Sequence, residues 1–253
     1  MDASANPAFG RRAGRCPSSS GRKGGTAPLH ERKNVSMGEI ILVRHGQASF
    51  GAADYDKLSP LGHEQSEWLG SYFADHDMRF DTVFRGDLLR HRETFEGIAS
   101  RCPLPEPRVD ARFNELNYDL IQDAYLVAEG HAAPRNREEF LHHFPLIFEH
   151  WAERQVDFEH ETFNVFAERV ENAMRAALVP DQTTLIVTSG GVIGVALREL
   201  LGLTVRKCAE LILNIHNSSI HRLRYECSSL RLAEFNACPH LAARERTHAR
   251  TFI

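Results

Sequence analysis

The sequence predicts an α/β fold built on a mostly parallel sheet with an antiparallel edge, and three observations carry that prediction. Two runs of aliphatic and β-branched residues, Ile40 to Val43 and Thr184 to Thr188, are apolar at successive positions, as strands covered on both faces must be. Strand patterns alternate with helical ones along most of the chain. Near the end, Ser219 to Tyr225 and Leu230 to Phe235 are joined by Glu226-Cys227-Ser228-Ser229 and read as a hairpin at the sheet edge.

The elements follow in order. After the first strand comes a polar loop, Ala48 to Ser59, and then Pro60 opens a helix with apolar residues at Leu61, Trp68, Leu69, Tyr72 and Phe73. Ser59 followed by Pro60 is an N-cap and first-turn pair. Asp81-Thr82-Val83-Phe84 is a short strand, and Asp87 begins a helix through Leu88, Leu89, Phe95 and Ile98 that the Pro-rich stretch Cys102 to Pro107 ends. From Glu138 to Leu178 two amphipathic patterns carry Phe140, Phe144, Ile147, Phe148 and Trp151, then Phe163, Phe166, Val170, Met174 and Leu178. Aromatics at helical spacing are ordinarily packing residues, here of cap and core. The strand ending at Thr188 passes through Ser189-Gly190-Gly191 into a helix from Val192 to Leu201.

Charge and composition narrow the class. The 253 residues hold 30 Lys plus Arg against 34 Asp plus Glu, a net charge of −4, which gives no nucleic-acid footprint. Residues 1–36 depart from the rest: Arg11, Arg12, Arg15, Arg22, Lys23, Arg32 and Lys33 oppose only Asp2 and Glu31, among many Ser, Gly and Pro. That stretch has no apolar run able to act as a secretory signal or to span a membrane, and it reads as a disordered basic extension preceding one domain over residues 37–253. Met37, directly before the first strand pattern, makes an upstream start the plainer origin and a basic targeting arm the alternative. Five cysteines, odd in number and without CxxC spacing, argue against a disulfide framework and a zinc site, so a reducing cytoplasm is expected. No metal, cofactor, nucleic acid or membrane is called for, and oligomeric state is left open.

Chemistry concentrates at strand ends and helix starts. The segments are Arg44-His45-Gly46, Leu88-Leu89-Arg90-His91-Arg92-Glu93-Thr94, Phe113-Asn114-Glu115 and Val187-Thr188-Ser189-Gly190-Gly191. A guanidinium is a fixed fork of donors for phosphate oxygens, and a neutral imidazole can attack phosphorus. Taken singly, Arg90 and Arg92 are ordinary helix-surface arginines and Glu115 a solvated carboxylate. Taken together, they describe a site for phosphoryl transfer beyond the carboxyl ends of parallel strands.

The order and spacing of these segments, with Leu58-Ser59-Pro60-Leu61-Gly62 and Gln65, resemble the histidine phosphatase superfamily over nearly all of residues 39–241. The resemblance implies a phosphoglycerate mutase-like, three-layer α/β/α sandwich with a helical cap insertion. It further implies His45 as the nucleophile, Arg44 and Arg90 as holders of the phosphoryl oxygens, and Glu115 as the acid that protonates the leaving oxygen and then helps water attack. Two departures stand out. Ser189 occupies the end of the fourth strand, where the family usually has a second histidine before Gly-Gly, and Gly51 stands where many members have asparagine. The hydroxyl of Ser189 and the amide of Gly190 at a helix N-terminus remain as phosphate donors. An imidazole added at Ser189 is expected to raise the rate if the pocket has room. His240 is a candidate to fill the vacancy, although a packed C-terminal histidine is the plainer reading.

The implied activity is metal-independent hydrolysis of a small phosphorylated substrate through phosphohistidine. A phosphoryl-returning mutase is the first alternative; the segment Leu116 to Arg137, read as cap loops, lacks the expected mutase pattern. A phosphate-ligand-binding protein with low or no turnover is the second, favoured by Ser189 alone. Specificity is expected in the cap, near Tyr118, His142 and His143.

Overall fold

A six-stranded sheet in the order β3-β2-β4-β1-β5-β6 runs through the protein, a computed structural model of which describes residues 38–49, 56–154, 161–226 and 229–252. The basic extension 1–36, Met37 and Gly51 lie outside the described residues. β1 (Gly38–Arg44) pairs in parallel with β4 (Thr183–Thr188), bringing Arg44 opposite Thr188, and β4 pairs in parallel with β2 (Thr82–Arg85), which in turn pairs with the short β3 (Arg108–Val109). On its other side β1 meets the antiparallel hairpin of β5 (Ile220–Glu226) and β6 (Ser229–Ala237), the expected edge.

The aliphatic run of β1 explains its central place. Ile40, Ile41, Leu42 and Val43 are all fully buried, and because side chains alternate across a strand they feed two cores. Ile41 and Val43 join Val83, Leu185 and Val187 beneath Leu69 and Phe73 of α1 (Pro60–Asp75) and Ile98 of α2 (Leu89–Ala99). Ile40, Leu42 and Ile186 face the other layer, built from α4 (Arg137–Arg154), α5 (Phe163–Ala177), α6 (Gly190–Leu201) and α7 (Val205–Ile212). Full burial of each aliphatic side chain is worth ~1.5–3 kcal/mol. The aromatics Phe148, Trp151 and Phe166 belong to this second core, as their helical spacing predicts.

The layer assignment also creates the crevice. β1 leads to α1 on one face, whereas the adjacent β4 leads to α6 on the other. Their loops therefore diverge, and a gap opens between the carboxyl ends of β1 and β4, the place where open α/β sheets bind ligands.

Local chemistry sets the helix starts. Ser59 caps α1, its hydroxyl accepting from the Gly62 amide at 3.1 Å with Pro60 behind it. α2 starts at Leu89, two residues after the predicted Asp87, because Asp87 is held by Asn114 while the Leu89 amide donates to the distant Asp56 carboxylate at 2.8 Å. The segment Leu116 to Arg137 is not simply cap loops: it contains α3 (Tyr118–Glu129), capped by the Asn117 side chain and ended by Gly130. α6 likewise begins at Gly190 rather than Val192, with Ser189 as its N-cap. α7 lies in a stretch with no predicted element and starts at the Thr204 cap.

Candidate active site

The site is assembled around the turn that follows β1. The His45 amide donates to the Thr188 carbonyl at 2.8 Å, and its carbonyl accepts from the Ser218 amide at 3.2 Å and Asn217 Nδ2 at 3.3 Å. Gly46 must be glycine for steric reasons, since a Cβ there would sit 2.4 Å from the Gly62 carbonyl oxygen. The next residue locks the turn: Gln47 donates its amide to Gln65 Oε1 at 2.8 Å and accepts the Ser59 amide at 2.8 Å on its carbonyl. Gln65 also reaches Ala249 O and Thr251 Oγ1 at 2.7 and 3.0 Å.

The imidazole of His45 is 6 % exposed, and its Nδ1 lies 2.7 Å from the Gly46 carbonyl oxygen. A carbonyl only accepts, so Nδ1 carries the proton and the lone pair is on Nε2. Burial first, then the Arg90 and Arg44 charges, hold the ring well below the usual histidine range. At neutral pH it is an uncharged imidazole with its nucleophilic nitrogen available.

Arg44 is buried at the end of β1, donates to the Ile215 carbonyl, and lies against the start of α6, where a Cβ on Gly190 would come within 3.6 Å of its Nε. Arg90, buried in the first turn of α2, pairs with Asp56 at 2.6 Å. The charges of both guanidinium groups contribute to holding the His45 ring below the usual histidine range. Arg92, in contrast, is a surface side chain 3.7 Å from Glu96.

Glu115 arrives from the loop after β3. Thr188 Oγ1 donates to the Phe113 carbonyl at 2.6 Å, and Arg169 Nη1 donates to the Arg112 and Asn114 carbonyls at 2.7 and 2.9 Å, fixing that loop against β4 and α5. The Glu115 carboxylate accepts from the Gly191 amide at 3.2 Å and the Leu116 amide at 3.1 Å. It also lines a cleft of about 240 Å³ together with Asn117, Leu120, Trp151 and Glu161. Gly190 and Gly191 form the N-terminal turn of α6, whose dipole favours negative charge there.

Ser189 is fully buried, and its hydroxyl is 2.7 Å from His91 Nε2. The ring of His91 in turn lies 5.7 Å from that of His45, centroid to centroid. His240 does not fill the vacancy near Ser189: it pairs with Ser218 Oγ at 2.8 Å, and burial with the Arg246 and Arg250 charges pushes it down to about 3. Sequence reasoning missed His91 and Asp56. The position of His91 directly after Arg90 in a first helical turn was the available signal, but the charged neighbours gave no apolar stripe to show which side faces inward. In the cap, Tyr118 packs on Phe140 and Phe144, and the rings of His142 and His143 are 5.9 Å apart. Among the described residues no group of three or more His, Cys, Asp or Glu could hold a metal ion, and no helix is long and apolar enough to cross a membrane.

The family model of the histidine phosphatase superfamily (branch 1) matches residues 40–237. A Caenorhabditis elegans protein named serine/threonine-protein phosphatase Pgam5, mitochondrial, is 32% identical over 87 residues, 34% of this chain and 30% of the relative. The chain thus spans less than half the length of the curated relatives it matches. Among solved structures, a phosphoglycerate mutase from Bacillus anthracis superposes with a TM-score of 0.61 at 19% identity, covering 81% of this chain and 96% of the other. A phosphoserine phosphatase variant from Entamoeba histolytica, solved in complex with phosphoserine, gives 0.57 at 16% identity, covering 81% and 99%.

Proposed function

Because the chain belongs to the histidine phosphatase superfamily, we propose that it hydrolyses a small phosphomonoester, without a metal, through a phosphohistidine on His45. The observation that carries this reading is the Nδ1 contact to the Gly46 carbonyl, which leaves the Nε2 lone pair of a neutral ring within the field of two arginines. Nε2 attacks phosphorus as the bond to the leaving oxygen breaks, and Glu115 gives that oxygen its proton. Water then attacks phosphorus, Glu115 takes back a proton, and the P–N bond breaks to return His45 and inorganic phosphate. Arg44 and Arg90 hold the phosphoryl oxygens through both steps, with the Ser189 hydroxyl and Gly190 amide as neutral donors.

The cleft beside Glu115 supports hydrolysis over return of the phosphoryl group, since it gives water a route to the residue that must activate it. The free Cys102, Cys208 and Cys238 suit the reducing cytoplasm we include in this reading. The test is a panel of phosphorylated metabolites assayed with and without chelator, followed by quenching above acid pH with labelled substrate. Label on the wild type, none on His45→Ala, and release of inorganic phosphate unaffected by chelator are expected. Transfer of label to a second substrate molecule instead of water would make it a mutase. Binding of phosphate without any labelled enzyme would leave only a ligand-binding role.

A further inference from the structure

His91 and Ser189 form a buried polar pair, and the reaction as described gives His91 no part. Both residues are fully buried, and such groups persist in an interior only when they satisfy one another. Ser189 is the N-cap of α6, where a serine hydroxyl ordinarily accepts an amide of the first turn, yet it makes no capping bond. The Gly191 amide is taken by Glu115, and the Ser189 hydroxyl turns across the crevice to α2.

The ring of His91 fixes the direction of that bond. Its Nδ1 is pressed against Gly86, where a Cβ would come within 2.2 Å, and among the described residues it makes no hydrogen bond. Burial and the Arg90 and Arg85 charges keep the ring neutral, so a single N–H is present. A buried N–H without an acceptor is rarer than an acceptor without a donor, which places the proton on Nε2, donating to Ser189 Oγ. The Ser189 proton is then released to point elsewhere. Around the pair stand His45, 5.7 Å from the His91 ring, and Gly190, which adjoins both Ser189 and the Arg44 guanidinium.

We propose that His91 is a positioning residue that holds the Ser189 oxygen from behind and turns its hydroxyl proton toward the phosphoryl oxygens. The imidazole absent from the end of β4 is thereby supplied from α2, one bond removed, with Ser189 as the donor that touches the substrate. This rests on His45 as the phosphoryl acceptor.

The test is a double-mutant cycle on p-nitrophenyl phosphate hydrolysis. His91→Phe keeps the ring volume without the donor, Ser189→Ala removes one oxygen, and His91→Gln restores an N–H. Each of His91→Phe and Ser189→Ala is expected to lower kcat about tenfold with KM within about twofold, and the double variant to be no worse than either single one, because the two act as a unit. His91→Gln should recover most of the loss, which a role in packing alone does not predict. Multiplicative losses in the double variant overturn the proposal; if His91→Phe fails to fold, Ser189→Ala and His91→Gln still decide, and wild-type kcat in Ser189→Ala overturns it. A wild type that forms no labelled phosphoenzyme overturns the functional reading and this inference together. A labelled wild type with no coupling in the cycle overturns the inference alone.

Discussion

The Gly46 amide donates to Thr94 Oγ1 at 3.0 Å, and the same hydroxyl donates to the Arg90 carbonyl at 2.7 Å. One threonine on α2 thus ties the turn bearing His45 to the backbone of the arginine that acts on it. Thr94→Val keeps the shape and leaves the buried Gly46 amide without an acceptor, so a loss of ~1–3 kcal/mol in urea unfolding is expected, together with a fall in kcat. Thr94→Ser should stay close to wild type. Equal stability of the Val and Ser variants would show that the bond does not matter.

Arg90 is expected to resist even conservative change. A lysine can meet Asp56 or a phosphoryl oxygen but has no planar fork to do both, so Arg90→Lys should reduce kcat/KM about tenfold or more. Arg92→Lys, two residues away on the solvent side, is the control and should be silent. Indistinguishable kinetics for the two variants would remove Arg90 from the site.

Ser189→His reverses the expectation that sequence alone suggests. With His91 Nε2 already 2.7 Å from the Ser189 oxygen and both residues fully buried, a second ring has no space. Activity and melting temperature should both fall, and His91→Ala in the same chain should restore part of each by vacating the space. A single Ser189→His variant faster than wild type would mean that the crevice is wider than the structure shows.

Acid should unfold this protein through its interior histidines. His221 and His240 are both pushed down to about 3 by burial first, while the unfolded chain takes up protons near 6.5. Between those values the unfolded state binds more protons, so stability is full above about 6.5 and falls as pH falls, by roughly 1 kcal/mol per pH unit from each residue. Denaturant melts at pH 7, 6 and 5 read this directly, and His240→Gln should flatten the slope. A slope unchanged from pH 7 to 5 would contradict it. Catalysis should show the same sign: with His45 held below its usual range, the acid limb of kcat/KM should lie below pH 6.5.

What the sequence reveals depends on how local the cause is. β1 and β4 are legible because burial on two faces demands unbroken aliphatic runs, and α1 because Ser59-Pro60 satisfies its first turn from within the same segment. α3 is harder to read: Asn117 and Gly130 mark its ends, but only Ile121 and Tyr125 on it are buried, too few to draw an apolar stripe. The same division runs through the site. Arg44, His45 and Ser189 stand at strand ends, and the pattern of the strand places them. His91 acquires its meaning from Ser189, 98 residues away, and Asp56 from Arg90, 34 residues away. Those partners meet only because α2 docks beside the β1–β4 crevice, a long-range event with no periodicity to announce it.

The central position of β1 has a consequence for how the protein is made. Its two sheet partners lie about 140 and 175 residues further along, so at ribosomal rates of about 5–20 residues/s the strand waits roughly 7–30 s for the first of them. Throughout that interval the aliphatic stretch Ile40 to Val43, with both edges unpaired, is the segment most in need of a chaperone. Nascent chains stalled before β4 should be cut by protease within this stretch, and chains that have released β5 from the exit tunnel should resist.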